Sequence, residues 1–262
     1  MAPIIHLVRH AQGYHNLSEE NQQIRDPDLT PLGESQCDGL CRRFDAHDKV
    51  THLVASPIRR TILTCLRSFA PEVKAGKKVI ALPDAQEIST LPCDTGSDPS
   101  KLKDEFGDLV DYHMLHEGWN DKSSGSKYYP TPANLEARAR AARVWLRDLA
   151  NKAGDDAQIV LVTHGGFLHF LTEDFDGVKL ERGTGWDNTE IRSYEFKDPT
   201  GQDPNATLKE TQPSWRRRRG SAIPLTETEQ MQIREAFQTA LKEETKKQES
   251  RSAQASEEAI VD

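Results

Sequence analysis

Ile4-Ile5-His6-Leu7-Val8-Arg9-His10-Ala11, closely followed by His15-Asn16, is the stretch from which the fold can be read. The apolar run is short, β-branched and preceded by Pro3, which suits a buried strand of a parallel sheet and leaves no room for a helical period. In an open α/β sheet, ligands bind outside the carboxyl ends of the strands, so Arg9 and His10 stand where chemistry is expected. Gln158-Ile159-Val160-Leu161-Val162 repeats the pattern and runs into Thr163-His164-Gly165-Gly166. Two predicted strands therefore end in a histidine.

Val50-Thr51-His52-Leu53-Val54-Ala55 is a third strand, closing in Ser56-Pro57-Ile58-Arg59-Arg60-Thr61 at the start of a helix. Val79-Ile80-Ala81-Leu82 is a fourth, followed by Asp84-Ala85-Gln86-Glu87. Arg9, His10, Arg60 and His164 are thus delivered towards one sheet edge. Guanidinium groups match phosphate oxygens by two-pronged hydrogen bonding, a helix start favours an anion, and imidazole can attack phosphorus covalently.

The motifs Leu7-Val8-Arg9-His10-Ala11 with Asn16, Leu29-Thr30-Pro31-Leu32-Gly33-Glu34-Ser35-Gln36, Ser56-Pro57-Ile58-Arg59-Arg60-Thr61 with Thr64, and Thr163-His164-Gly165-Gly166 occur in a telling order. Over residues 4–197 they resemble the histidine phosphatase superfamily, also called phosphoglycerate mutase-like. The resemblance implies a three-layer αβα sandwich, class α/β, around a mostly parallel sheet. It implies that His10 is the phosphorylated nucleophile and that Arg9, Arg60, His164 and Asn16 bind the phosphate. Arg59 is expected to face elsewhere, and His164 to act protonated. Glu87 matches the family's proton donor, with Asp84 and Asp94 near enough in sequence to assist or replace it. No metal and no cofactor is implied.

After Glu87 the chain reads Ile88-Ser89-Thr90-Leu91-Pro92-Cys93-Asp94-Thr95-Gly96-Ser97, unlike the Arg-rich segment of the mutases. Together with Trp186-Asp187-Asn188-Thr189-Glu190-Ile191-Arg192 it resembles a small phosphomutase-like subgroup of fungal type. The expected activity is therefore hydrolysis of a small phosphomonoester, with His15, Asp94 and Trp186 as substrate contacts. The alternatives are a mutase-like isomerase and a non-catalytic phosphate-binding regulator. A zinc reading of His6, His10 and His15 lacks a completing Cys or carboxylate at a recognised spacing.

The chain has 262 residues, 35% hydrophobic and 29% charged, which suggests an ordinary core diluted by a polar tail. The expected organisation is a catalytic domain over residues 1–197, a linker over 198–225 and a helix with a disordered tail over 226–262. A net charge of −8 argues against general nucleic-acid binding. Trp215-Arg216-Arg217-Arg218-Arg219 is a local exception, read as a solvated linker or as a run that binds RNA, addresses the protein to the nucleus or touches an anionic partner. Cys37, Cys41, Cys65 and Cys93 form no paired framework, Met1-Ala2-Pro3 is too short for a leader, and no run reaches membrane-spanning length, so a cytoplasmic location is expected. Helices are expected over residues 30–45, 101–116, 131–151, from 165 onward and over 226–248, and a last strand over 191–196. The thin apolar stripe of 226–248 either docks on the domain or binds a partner, and residues 118–130 form a surface loop or a lid over the pocket.

Overall fold

The computed structural model describes residues 2–180 and 183–261, to which every structural statement here refers. In chain order the elements are β1 (Ile4–Arg9), α1 (Pro31–Arg43), β2 (His52–Ala55), α2 (Arg59–Ser68), α3 (Ala70–Lys74), β3 (Val79–Ala81), α4 (Pro99–Phe106), β4 (Val110–Asp111), α5 (Pro132–Ala153), β5 (Gln158–Thr163), α6 (Gly165–Thr172), β6 (Ile191–Phe196), β7 (Leu208–Glu210), α7 (Gln212–Arg219) and α8 (Glu227–Val261). The sheet has seven strands in the order β4-β3-β2-β5-β1-β6-β7. The first five in that order are parallel, and β6 and β7 add an antiparallel edge.

Strand alternation divides the core between the two faces of this sheet. Ile5, Leu7, Ile159 and Leu161 pack with Leu135, Ala139 and Leu146 of α5 and Phe167 and Leu168 of α6. Val8, Leu53, Val160 and Val162 join Leu40 of α1, Ile62 and Cys65 of α2, and Leu102 of α4 on the other. The expected helix–sheet–helix layering and mostly parallel sheet are what the chain adopts.

Register sets up the site. Arg9 pairs with Thr163 and Ala55 with Val162, so His10, Ser56 and His164 leave neighbouring strands at one edge. The 10–16 loop is held against α1, where a Cβ on Gly33 would stand 2.1 Å from the Gln12 carbonyl oxygen. The glycine near the start of that helix therefore serves a close approach to the loop rather than to the sheet. Thr30 caps the same helix by accepting from Gly33 N at 3.0 Å.

Several elements differ from the sequence reading. The helix expected over 101–116 stops at Phe106, because Gly107 turns to φ +49° and β4 follows. The stretch expected as a linker instead supplies β7, paired antiparallel to β6, and α7, whose cap Thr211 accepts from Ser214 N. Arg218 pairs there with Glu210 and Arg219 with Asp176, so half of the basic run is engaged within the protein. The last helix continues to Val261 rather than ending at Gln248, since neither Gly nor Pro follows Pro224. Its Phe237 is buried among His169, Phe170 and Phe175, with ring centroids 5.9–6.1 Å away. Asp262, the end of the tail expected to be disordered, lies outside the described residues, as does Met1. No helix among the described residues is long and apolar enough to cross a membrane.

Candidate active site

His10 is buried just past β1, with its Nδ1 2.7 Å from the Ala11 carbonyl oxygen. A carbonyl can only accept, so Nδ1 carries the proton and Nε2 keeps its lone pair. Burial, then the Arg60 and Arg9 charges, hold this imidazole well below its ordinary pKa and hence neutral. The strand end is fixed from both sides: Thr64 Oγ1 accepts from Ala11 N at 3.0 Å, and Asn188 Nδ2 donates to the His10 carbonyl at 2.9 Å.

His164 ends β5 with its ring 5.3 Å from that of His10. Arg60 Nη2 donates to its Nδ1 at 3.0 Å, which leaves Nε2–H to donate to Ser56 Oγ at 2.9 Å. Burial and the Arg60 charge push its pKa well down. The expectation of a protonated His164 is therefore corrected: a nitrogen accepting from a guanidinium cannot also hold a proton. His164 orients Arg60.

Arg60 is fully buried in the first turn of α2. Besides His164 it reaches the Cys93 carbonyl at 2.6 Å and Asp94 Oδ1 at 2.7 Å, while its Nε has no hydrogen-bond partner. Arg9 donates to the Trp186 carbonyl at 2.5 Å. Arg59 turns away as expected, towards Asp28 at 2.6 Å and Glu105 at 2.7 Å.

Glu87 follows β3 and is half-buried. Its Oε1 accepts from Phe167 N at 2.9 Å and Ile88 N at 3.0 Å, and its Oε2 from Gly166 N at 3.2 Å, so the carboxyl sits on the opening turn of α6. A Cβ on Gly166 would come within 2.8 Å of Oε1, so that glycine makes the approach open. Burial and then the Asp94 charge raise the Glu87 pKa, against Arg60 and the backbone donors.

Of the expected substrate contacts, His15 and Asp94 are at the site. The His15 ring lies 5.3 Å from His10, and its buried Nδ1 has no hydrogen-bond partner. Burial, with Arg60 and Arg9, lowers its pKa to about 2. Trp186 is fully buried with the Arg192 guanidinium 3.6 Å over its ring, so the indole offers no face to a substrate, and its contribution is the carbonyl on Arg9. Asn16 is exposed, its Oδ1 accepting from Gly13 N at 3.1 Å. Asp84 pairs outward with Lys127 at 3.2 Å. His6 bonds Ser193 and Gln158, apart from His10 and His15, and the described residues contain no cluster suited to a metal ion.

The segment 118–130 is anchored rather than free. Trp119 is buried over Gly96, where a Cβ would meet its ring at 2.2 Å, and Tyr128 and Lys122 are buried as well. Lys122 and Arg138, which bond the main chain around Glu87, went unnoticed in the sequence because a lysine in a polar loop and an arginine on an amphipathic helix carry no motif.

The His10 imidazole, with its Nε2 lone pair, lies 5.3 Å from the His164 ring and under the charges of Arg60 and Arg9, a grouping that can attack phosphorus and hold its oxygens. The chain belongs to the histidine phosphatase superfamily (branch 1), whose profile matches residues 5–202. It is 29% identical to an Arabidopsis thaliana phosphoglycerate mutase-like protein, over 74% of this chain and 84% of that protein. It is 30% identical, over 68% of this chain and 80% of the relative, to a Hydrogenobacter thermophilus protein whose name assigns it provisionally to the phosphoserine phosphatases. Among solved structures, Bacillus stearothermophilus YhfR shares the fold with a TM-score of 0.50 at 15% identity, covering 80% of this chain and 96% of its own.

Proposed function

We propose that this protein is a phosphatase that hydrolyses a small phosphomonoester through a phosphohistidine on His10. The observation that carries the reading is the Nδ1–Ala11 hydrogen bond, which leaves a neutral Nε2 beside Arg9 and Arg60. Nε2 attacks phosphorus in line, the bond from phosphorus to the ester oxygen breaks, and Glu87 gives its proton to the departing alkoxide. Water then attacks the phosphohistidine, the N–P bond breaks, and the water proton returns to Glu87.

Arg9 and Arg60 take the charge of the equatorial oxygens as it redistributes. Glu87 is the acid in preference to Asp94. Its pKa is raised, so it retains a proton at higher pH than an ordinary carboxyl, whereas Asp94 is bonded to a guanidinium and serves to raise Glu87. His15, beside His10 with an unpartnered nitrogen, contacts the ester group.

The test is incubation with a panel of phosphomonoesters, including phosphoserine and 3-phosphoglycerate, with release of inorganic phosphate measured and the enzyme quenched for acid-labile phosphate on His10. Phosphate release with labelled His10 supports the reading. Isomerisation of 3-phosphoglycerate outrunning phosphate release makes the protein a mutase, and absence of both turnover and labelling ends the proposal.

A further inference from the structure

Two buried cations bracket the backbone that carries Glu87. Lys122 Nζ donates to the Glu87 carbonyl at 2.7 Å and to the Ser89 carbonyl at 3.1 Å, although the lysine itself comes from the polar segment between β4 and α5. Arg138 of α5 donates to the Gln86 carbonyl at 2.7 Å and stacks 4.8 Å over the Phe167 ring. Gln86 in turn donates to the Trp119 carbonyl at 2.9 Å. Residues 119–122 and 86–89 are thus laced into one wall of the pocket.

A surface lysine would gain nothing from this placement. Lys122 is nine-tenths buried, and an ammonium withdrawn from water this far is sustained only by nearby acceptors and negative charge. Its two acceptors, the Glu87 and Ser89 carbonyls, both belong to the stretch that starts at the proposed proton donor, and the carboxylates whose charge acts on it are those of Asp94 and Glu87.

We propose that Lys122 is a positioning residue for proton transfer, holding the Glu87–Ser89 main chain so that the carboxyl stays on the first turn of α6 and setting, by its charge, how readily that carboxyl yields its proton. The assignment rests on Glu87 being the acid of the proposed phosphatase. The charges around the ammonium are Arg138, Asp94, Glu87 and Arg60, and burial with Arg138 brings its own pKa down to about 7. As a cation Lys122 opposes the rise in the Glu87 pKa.

The experiment compares Lys122→Met and Lys122→Arg with the wild-type chain. Lys122→Met is expected to lower kcat by roughly tenfold to a hundredfold, the cost of a loosened reacting group, with little change in KM. It is also expected to move the basic limb of the kcat profile upward by about half a pH unit or more, since removing a cation makes the carboxyl hold its proton longer. Lys122→Arg holds a cation at every working pH and is expected not to move the limb upward. A purely structural lysine would lower melting temperature without moving the limb, and that result overturns the proposal. Carbon-13 titration of the Glu87 carboxyl in both proteins supplies a readout without turnover: an upward shift in Lys122→Met supports the role and an unchanged titration removes it. A wild-type protein with no phosphatase activity would dispose of the proposed function alone, because the carboxyl titration still decides for or against Lys122.

Discussion

The carbonyl of Trp186 accepts from Arg9 at 2.5 Å while the Trp186 ring carries the Arg192 guanidinium at 3.6 Å. Arg192 is itself fixed by Glu190 at 2.7 Å. Arg9 thus rests on a packed stack. Trp186→Ala empties a fully buried site, and about 3–5 kcal/mol of stability should be lost. Vanadate inhibition should weaken with it, because the main chain that carries the Arg9 acceptor is no longer pinned by the buried ring. Thermal unfolding and vanadate titration check both, and Trp186→Phe should fall between wild type and Ala in each.

His10→Ala should abolish turnover, by roughly a thousandfold or more, while far-UV circular dichroism is unchanged. Labelled substrate quenched in base should mark the wild-type chain and leave the variant unlabelled. Near-normal hydrolysis by the variant would remove His10 as nucleophile.

Glu87→Gln should lower kcat by about 10²–10⁴ for alkyl phosphates, and far less for p-nitrophenyl phosphate, whose leaving group needs no proton. Because the Glu87 pKa is raised, the acid form persists above the ordinary carboxyl range and wild-type activity declines as pH rises through that raised value. The Gln variant should lack this decline. Paired pH profiles on the two substrates decide it.

Stability should fall on the acid side of neutrality. His10 and His164 have pKa values well below the ordinary 6.5, His15 about 2 and His169 about 4. His169 is locked neutral, with Nδ1–H donating to the Asp174 carbonyl at 2.6 Å and Nε2 accepting from Gly185 N at 3.0 Å. Below the unfolded value of about 6.5 the unfolded chain binds more protons than the folded one, so their contribution is complete above that pH and is lost as pH falls, down to about 4 for His169 and about 2 for His15. Glu87, with a raised pKa, acts in the opposite sense and offsets a part. Urea unfolding at pH 7.5 and pH 5 should show a lower midpoint at pH 5, and His169→Gln should shrink the difference.

Phe237→Ala should destabilise the fold by about 3–5 kcal/mol, since the ring is buried in the aromatic group beneath α8. At a temperature where the variant is folded, kcat should match wild type, because none of its ring partners belongs to the pocket. Calorimetry and steady-state kinetics on one preparation test this.

The convergence of Arg9, His10, Arg60 and His164 is legible in the sequence because each ends a strand or opens a helix, where a few neighbouring residues fix the local geometry, whereas Glu87 lies in the loop beyond β3 and was marked only by the family resemblance. Trp186, expected as a substrate contact, is covered instead by Arg192, a packing decided by a fold-level contact. The charge on His164 was misread for the same reason: its tautomer depends on Arg60, 104 positions away. Strand β7 hides in a Pro- and Gly-rich stretch, since its pairing is supplied by β6 rather than by its own three residues. Lys122 has no period or spacing to betray it.

The Asp94 carboxylate on Arg60 gives the resting pocket a tethered counter-ion. An oxyanion that enters must share or displace this occupant, and in the proposed reaction inorganic phosphate left behind after the second half-reaction would meet a rival fastened to the same polypeptide. Occupancy of this cradle is thus an exchange of one anion for another, which favours quick turnover of the cradle over tight retention of whatever it holds.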